Sequence, residues 1–290
     1  MDLDLACHIN VVYPDVFSEG FPAALDGLLA LGYRRVVMHP LDPAATDTDR
    51  LRGLLADRGM SPVTIAGQMP GADVSSEDEA ERAAGEAALR EQVDLTVAIG
   101  GDQMNGVPYG LFSKPAGPTS AAAFERAAIG VGRVADYAHE RGLMMTFEVL
   151  NRYETSAINT AEQAMEFVGL SGSDHLRIHL DSFHMAVEEA DISAAIRHAL
   201  PKLGYLELGQ SGRGLLSTGS VDIAAVVAQA IDDGYRGRWG VEAFSRPVLV
   251  EPVADLLAIW RAPYHDGLAL AADAVEVITA GYDRSAAHAR

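Results

Sequence analysis

Four carboxylates recur at one kind of position in this sequence. Glu148 closes the apolar run LMMTFE, Asp181 closes HLRIHLD, Glu207 sits inside GYLELG, and Glu242 closes RWGVE. A lone acid at the end of a β-type run is ordinarily a helix cap or a solvated residue. Four in successive runs, if the fold brings them together, would repel one another strongly in a partly buried site. A divalent cation resolves that conflict, and an all-oxygen donor set suits Mg2+ or Mn2+ better than Zn2+. The flanking residues add polar groups. Asn151, Arg152 and Glu154 follow Glu148, and His184 stands three residues past Asp181. His184 faces the same cavity if the chain turns helical after Asp181. Gln210 and then Arg213 follow Glu207, the arginine within the glycine-rich GRGLLSTG, where it could clamp a substrate oxygen.

The elements that must position these groups are short strands alternating with alanine-rich amphipathic helices. Strands are expected near 3–9, 34–38, 62–66, 102–105, 143–148, 175–180, 204–208 and 238–242. Helices are expected near 20–31, 47–59, 77–99, 119–141, 159–170, 190–200, 221–234 and 251–261, with a last one over 267–281. Ser76, Thr119 with Ser120, and Asp222 stand where N-caps are expected. Eight strand–helix units in 290 residues is the count of a (β/α)8 TIM barrel, a single α/β domain over 1–290. No GxGxxG follows the first strand, which argues against a doubly wound dinucleotide fold. Chemistry in a barrel sits at the C-terminal ends of the strands, where the four acids fall. In YLELG, Tyr205, Glu207 and Gly209 alternate with Leu206 and Leu208, so Glu207 faces the barrel interior and the leucines face the helices. The segment 106–118 (GVPYGLFSKPAGP) reads as a long loop of the kind that covers a site.

Composition narrows the function. With 41 acids against 22 bases the net charge is -19, which excludes nucleic acid and anionic membranes as natural partners. Cys7 is the only cysteine, so neither an internal disulfide nor a cysteine zinc site is available. The N-terminal MDLDLACHINVVYPD lacks a basic n-region, and no apolar run approaches the roughly 18 residues that span a bilayer. A cytoplasmic location is the expectation.

FEVLNRYET (147–155), HLDSFHMAVEEAD (179–191), GYLELGQSGRGLLSTGSVD (204–222) and GVEAF (240–244) carry a resemblance. Together with weaker matches over 71–101 and GVPYGLFSKPAGP, they resemble the xylose isomerase-like (sugar phosphate isomerase/epimerase) barrels, and among them the ketose 3-epimerases for D-tagatose and D-psicose. The resemblance implies proton transfer beside the carbonyl of a free ketose or keto-sugar, through an enediolate stabilised by a divalent metal. Mn2+ or Mg2+ is expected, with Co2+ as a third candidate. It implies metal ligands at Glu148, Asp181, Glu207 and Glu242, with Glu148 and Glu242 also the catalytic acid–base pair. It places substrate contacts at Glu154, His184 and Arg213, with Asn151 and Gln210 beside them. A homo-oligomer, dimer or tetramer, is common among such proteins. Two departures stand out: the epimerases carry His where this chain has Glu207, and Glu where it has Gln210. Related hydroxypyruvate isomerases carry Gln at the first position. The departures bear on the substrate more than on the fold. They leave open a hydroxypyruvate-type aldose–ketose isomerase, a lyase cleaving 3-keto-glycosides (C-glycosides) with a small partner subunit, and a non-catalytic sugar-binding barrel.

Overall fold

The computed structural model describes residues 3–287. Eight parallel strands close on one another in sequence order: β1 (Leu5–His8), β2 (Arg35–Val37), β3 (Ser61–Gln68), β4 (Gln103–Leu111), β5 (Met144–Glu148), β6 (Arg177–Asp181), β7 (Leu203–Gly209) and β8 (Arg238–Glu242). β8 pairs back onto β1, so no edge is left exposed. The outer layer comprises α1 (Phe21–Ala30), α2 (Thr48–Ala56), α3 (Glu79–Ala98), α4 (Ala121–Glu140), α5 (Ala161–Ser171), α6 (Ser182–Glu188), α7 (Ile192–Ala199), α8 (Ile223–Asp232), α9 (Glu251–Leu256) and α10 (Gly267–Arg284).

Strand alternation sorts the side chains. Phe147, Leu180, Leu206, Leu208 and Val241 are fully buried in the main apolar core against the helices. Burying each such side chain contributes about 1.5–3 kcal/mol. The barrel's interior holds a smaller apolar cluster, Ala6, Val37, Val63 and Tyr205. Below it, Arg35 and Arg238 converge on Asp102, and Arg238 also donates to Gln103. Gln103 and Thr146 both donate to Asn105. This network plugs the N-terminal end of the barrel, so the opposite rim is left for chemistry.

Several elements differ from the expectations drawn from sequence. Residues 106–111 extend β4 rather than opening a loop, because Gly106 and Val107 pair with Ala66 and Gly67 of β3 and residues 106–109 are buried. The cap of α3 is Asp78, whose side chain accepts from the Ala80 N–H, whereas Ser76 donates to Glu81. Ser120 and Asp222 do cap α4 and α8. The helix expected over 251–261 stops at Leu256, and Ala258 takes a left-handed φ of 55°. A helix that was expected only conditionally, α6, begins directly after β6, with the Asp181 carboxylate accepting the Phe183 N–H at its N-cap.

Candidate active site and metal centre

The four acids meet at the C-terminal rim. Glu148, Asp181, Glu207 and Glu242 come from β5, β6, β7 and β8, and each places one oxygen within 4.8 Å of the others. Asp181, Glu207 and Glu242 are buried, and Glu148 is nearly so. Register produces this convergence. A bulge between Ile178 and His179 skips Gly204 and sets His179 opposite Tyr205 and Asp181 opposite Glu207. On the other side Glu207 pairs with Gly240, and Gly209 with Glu242. Gly240 is needed for room: a Cβ there would stand 2.2 Å from the Tyr205 hydroxyl and 2.7 Å from a Glu207 oxygen.

One guanidinium answers the crowd. Arg213 Nη1 donates to Asp181 Oδ2 at 3.1 Å and also to Glu242. Its guanidinium carbon lies 3.6 Å from the centre of the Phe183 ring. The residue is held with a left-handed φ of 55°, its N–H bonded to the Gln210 carbonyl and its carbonyl accepting from Phe244. Backbone held in this region by its surroundings is typical of functional sites. Arg213 also lines a cavity of about 270 Å³ together with Asn151, Glu154, Phe183, Phe244 and Trp260. None of the four carboxylates lines that cavity; Arg213 connects the two. Residues 257–263 border it, and 106–118 do not, so the covering role expected of the earlier segment falls to the chain after α9.

The polar groups beside the cluster form a chain. Asn151 donates from both its backbone and its side-chain nitrogen toward His184 Nδ1, at 3.1 and 2.9 Å, and its side chain also donates to Glu154. A backbone N–H can only donate, so Nδ1 is an acceptor and the neutral His184 ring carries its proton on Nε2. That N–H faces Glu148 Oε1 at 3.4 Å and Asp181 Oδ2 at 3.7 Å. Burial holds the His184 pKa below its ordinary value, which keeps the ring neutral. Arg152, by contrast, turns outward to Glu188.

Gln210 was expected among the substrate contacts, and the structure occupies it elsewhere. Its side-chain nitrogen donates to the carbonyls of Leu216 and Val221, and its oxygen accepts the N–H groups of Ser211 and Val221. It is fully buried and folds the 210–221 loop that carries Arg213. Two buried histidines of the rim were not singled out from sequence. His8 ends β1, accepts the Asn10 N–H on Nδ1, and has its Nε2 4.0 Å from Glu242. His179 lies two residues before Asp181, hence on the same face of β6, and that spacing was the signal available in the sequence.

The four carboxylates do not share one proton affinity. Burial, with Glu242 and Asp181 nearby, pushes Glu148 up to about 7, against the pull of Arg213. Burial and the charges of Glu242, Glu148 and Asp181 raise Glu207 well above the usual carboxylate range. Burial would raise Glu242 too, but the charge of Arg213 leads the opposing pull and this carboxyl is held below its ordinary value. Glu154 is raised by burial. Groups of unequal proton affinity facing one centre are what acid–base chemistry at neutral pH requires. Compact oxygen donors with excess negative charge are also what a divalent cation requires, and the residues present fit one.

Residues 25–276 match the family profile of the xylose isomerase-like TIM barrel. The chain belongs to that family. Within it, the chain is 36% identical over 253 residues to an L-ribulose 3-epimerase of Mesorhizobium japonicum, covering 87% of this chain and 85% of that protein. It is 34% identical to a ketose 3-epimerase of Arthrobacter globiformis, covering 94% of each. The solved structure of a D-allulose 3-epimerase from Methylomonas sp. in complex with D-allulose superposes with a TM-score of 0.90 at 32% identity, covering 96% of each chain. Among the described residues no helix is long and apolar enough to cross a membrane.

Proposed function

We propose that this chain is a metal-dependent ketose 3-epimerase acting on a free sugar. The observation that carries the reading is the convergence of Glu148, Asp181, Glu207 and Glu242 within 4.8 Å, in a chain whose relatives are 3-epimerases. Epimerisation at C3 of a ketose removes the proton beside the C2 carbonyl and returns one to the opposite face. Glu148 and Glu242 reach the centre from β5 and β8, with β6 and β7 between them. A sugar carbon seated over the cluster is therefore approached from two sides. Glu148 and Glu242 are the acid–base pair on those two sides, and Glu242, held ionised by Arg213, serves as base.

Glu148, Asp181, Glu207 and Glu242 would hold the cation, Mn2+ or Mg2+ by their all-oxygen character, with Co2+ as a third candidate. When bound, it supplies positive charge opposite the oxygen anion that develops as the C–H proton leaves. Arg213, Glu154 and Asn151 line the cavity and orient sugar hydroxyls. The His184 N–H, fixed by Asn151, donates toward Glu148 and sets its rotamer. Gln210 acts on substrate only through the loop that carries Arg213. Assembly into a homo-oligomer and a cytoplasmic location complete the reading; light scattering of the purified chain tests the first.

Ketoses incubated with the protein and Mn2+ in deuterated water distinguish the chemistries. A 3-epimerase yields the C3 epimer carrying one deuterium at C3, and chelation stops the exchange. Aldose product labelled at C2, with label at C1 of the recovered ketose, would replace this reading with an aldose–ketose isomerase. Expulsion of a leaving group from a 3-keto-glycoside would replace it with a lyase. No exchange into any ketose would contradict it.

A further inference from the structure

Among the described residues, three buried histidines surround the carboxylate cluster, and they differ in what their lone pairs do. His8 and His184 each accept a backbone N–H on Nδ1, from Asn10 and Asn151. Each therefore has a nitrogen already engaged by the protein, and His184 Nε2 also meets Arg213 Nη2 at 3.4 Å. His179 is 2% exposed, and neither its Nδ1 nor its Nε2 has a hydrogen-bond partner. Its Nε2 stands 3.1 Å from Glu207 Oε2, yet the approach lies outside hydrogen-bond geometry. Buried polar atoms without partners are few in native proteins, and each calls for an explanation.

The position is built. The β6–β7 bulge turns His179 into the barrel opposite Tyr205, whose ring meets the imidazole edge-on at 4.8 Å. One donor atom each from Glu148, His179 and Glu207 lies within 4.8 Å of the other two. An imidazole nitrogen beside two carboxylates suits a divalent transition ion, whereas Mg2+ prefers oxygen alone.

We propose that His179 is a direct ligand of the cation, joining Glu148 and Glu207, and that this mixed nitrogen–oxygen shell selects Mn2+ or Co2+ over Mg2+. The inference rests on the metal-dependent reading above and sharpens it. The side chain that looks like a core histidine in the sequence supplies the one nitrogen donor, and Glu207 and His179 act as a cross-strand pair on one ion.

Pulsed electron paramagnetic resonance of the full chain loaded with Mn2+ tests this without an activity assay. Imidazole nitrogen coupling to the ion is expected in the wild type and is expected to persist in His8→Gln and His184→Gln. It is expected to disappear in His179→Gln, whose Mn2+ affinity should fall by at least the roughly 10–100-fold that loss of a ligand's supporting partner costs. Mg2+ affinity should fall much less. If His179→Gln does not fold, persistence of the coupling in the other two variants assigns it to His179. Tight Mn2+ binding without nitrogen coupling, or coupling lost only in His184→Gln or His8→Gln, would overturn the inference and leave the metal reading intact. Absence of Mn2+ binding would overturn both.

Discussion

Replacing Glu148 by Gln should make the metal-free protein more stable while abolishing its chemistry. The carboxyl stands at about 7 in the folded chain, against an ordinary 4.5, chiefly because it is buried. Below pH 4.5 it is protonated in both folded and unfolded states, and burial costs nothing extra. As pH rises from 4.5 to 7, the unfolded chain releases this proton and the folded chain retains it, so stability falls. Above 7 the loss is complete. Each pH unit separating the two values is worth about 1.4 kcal/mol, so the full penalty is about 3 kcal/mol. Glutamine has nearly the same shape, carries no charge, and can still accept from the His184 N–H that lies 3.4 Å from Glu148. Urea unfolding of chelator-treated protein, followed by circular dichroism, should show Glu148→Gln about 3 kcal/mol more stable than wild type at pH 8, and thermal unfolding should show a Tm about 5 °C higher. The two should coincide near pH 4.5. Proton transfer by this residue should be lost, at a cost of roughly 10²–10⁴-fold or more in turnover. Mn2+ at about 1,000 times its Kd should reverse the order of stability, since it adds about 4.1 kcal/mol to the form that binds it. A variant less stable than wild type at pH 8, or a difference that does not vary with pH, would refute the reasoning.

Metal binding should be coupled to protons, because Glu148 and Glu207 must release theirs to serve as ligands. Calorimetric titration at pH 6 in buffers of different ionisation heat should count at least one proton released per Mn2+, with affinity rising as pH passes 7; a count of zero would contradict the placement of these groups. Gly240→Ala should disorder the Tyr205–Glu207 contact, since its Cβ would stand 2.2 Å from the tyrosine hydroxyl. Mn2+ affinity, read by fluorescence or paramagnetic titration, should fall tenfold or more by the same logic as loss of a ligand's support. Gln210→Ala removes a side chain with four backbone bonds in the 210–221 loop. It should destabilise by about 1–3 kcal/mol and raise KM more than it lowers kcat, because Arg213 loses its platform.

The carboxylates were legible because two simple signals coincide in them: period-two alternation gives the face, and the last residue of a run gives the rim. The same alternation turned Glu207 and Tyr205 inward and Leu206 and Leu208 outward, where they lie. What escaped depends on contacts distant in sequence. Residues 106–111 carry Gly and Pro and read as a loop, but pairing with β3 keeps them extended. The seven residues of α6 make too few turns to show a helical period, yet the helix sets His184 among the acids. Gln210 is polar and near Glu207, but its partners are backbone groups up to eleven residues away. His179 reads as one polar residue in an apolar strand; only the bulge, which composition does not reveal, brings it to Glu207. The resemblance to sugar epimerases pointed to four acids that the fold brings together, but not to what the chain does with Glu where those proteins have His.

The central claim is that four strand-end carboxylates form one cation site beneath a sugar cavity. A crystal structure of the Mn2+-loaded protein with a bound ketose, read by anomalous scattering at the manganese edge, tests it most directly. The account predicts a single strong peak bonded to oxygens of Glu148, Asp181, Glu207 and Glu242 and to a nitrogen of His179, with the sugar C3 between Glu148 and Glu242 and Arg213 turned toward a sugar oxygen. A cation bound elsewhere, or a ketose seated with C3 out of reach of both glutamates, would contradict it.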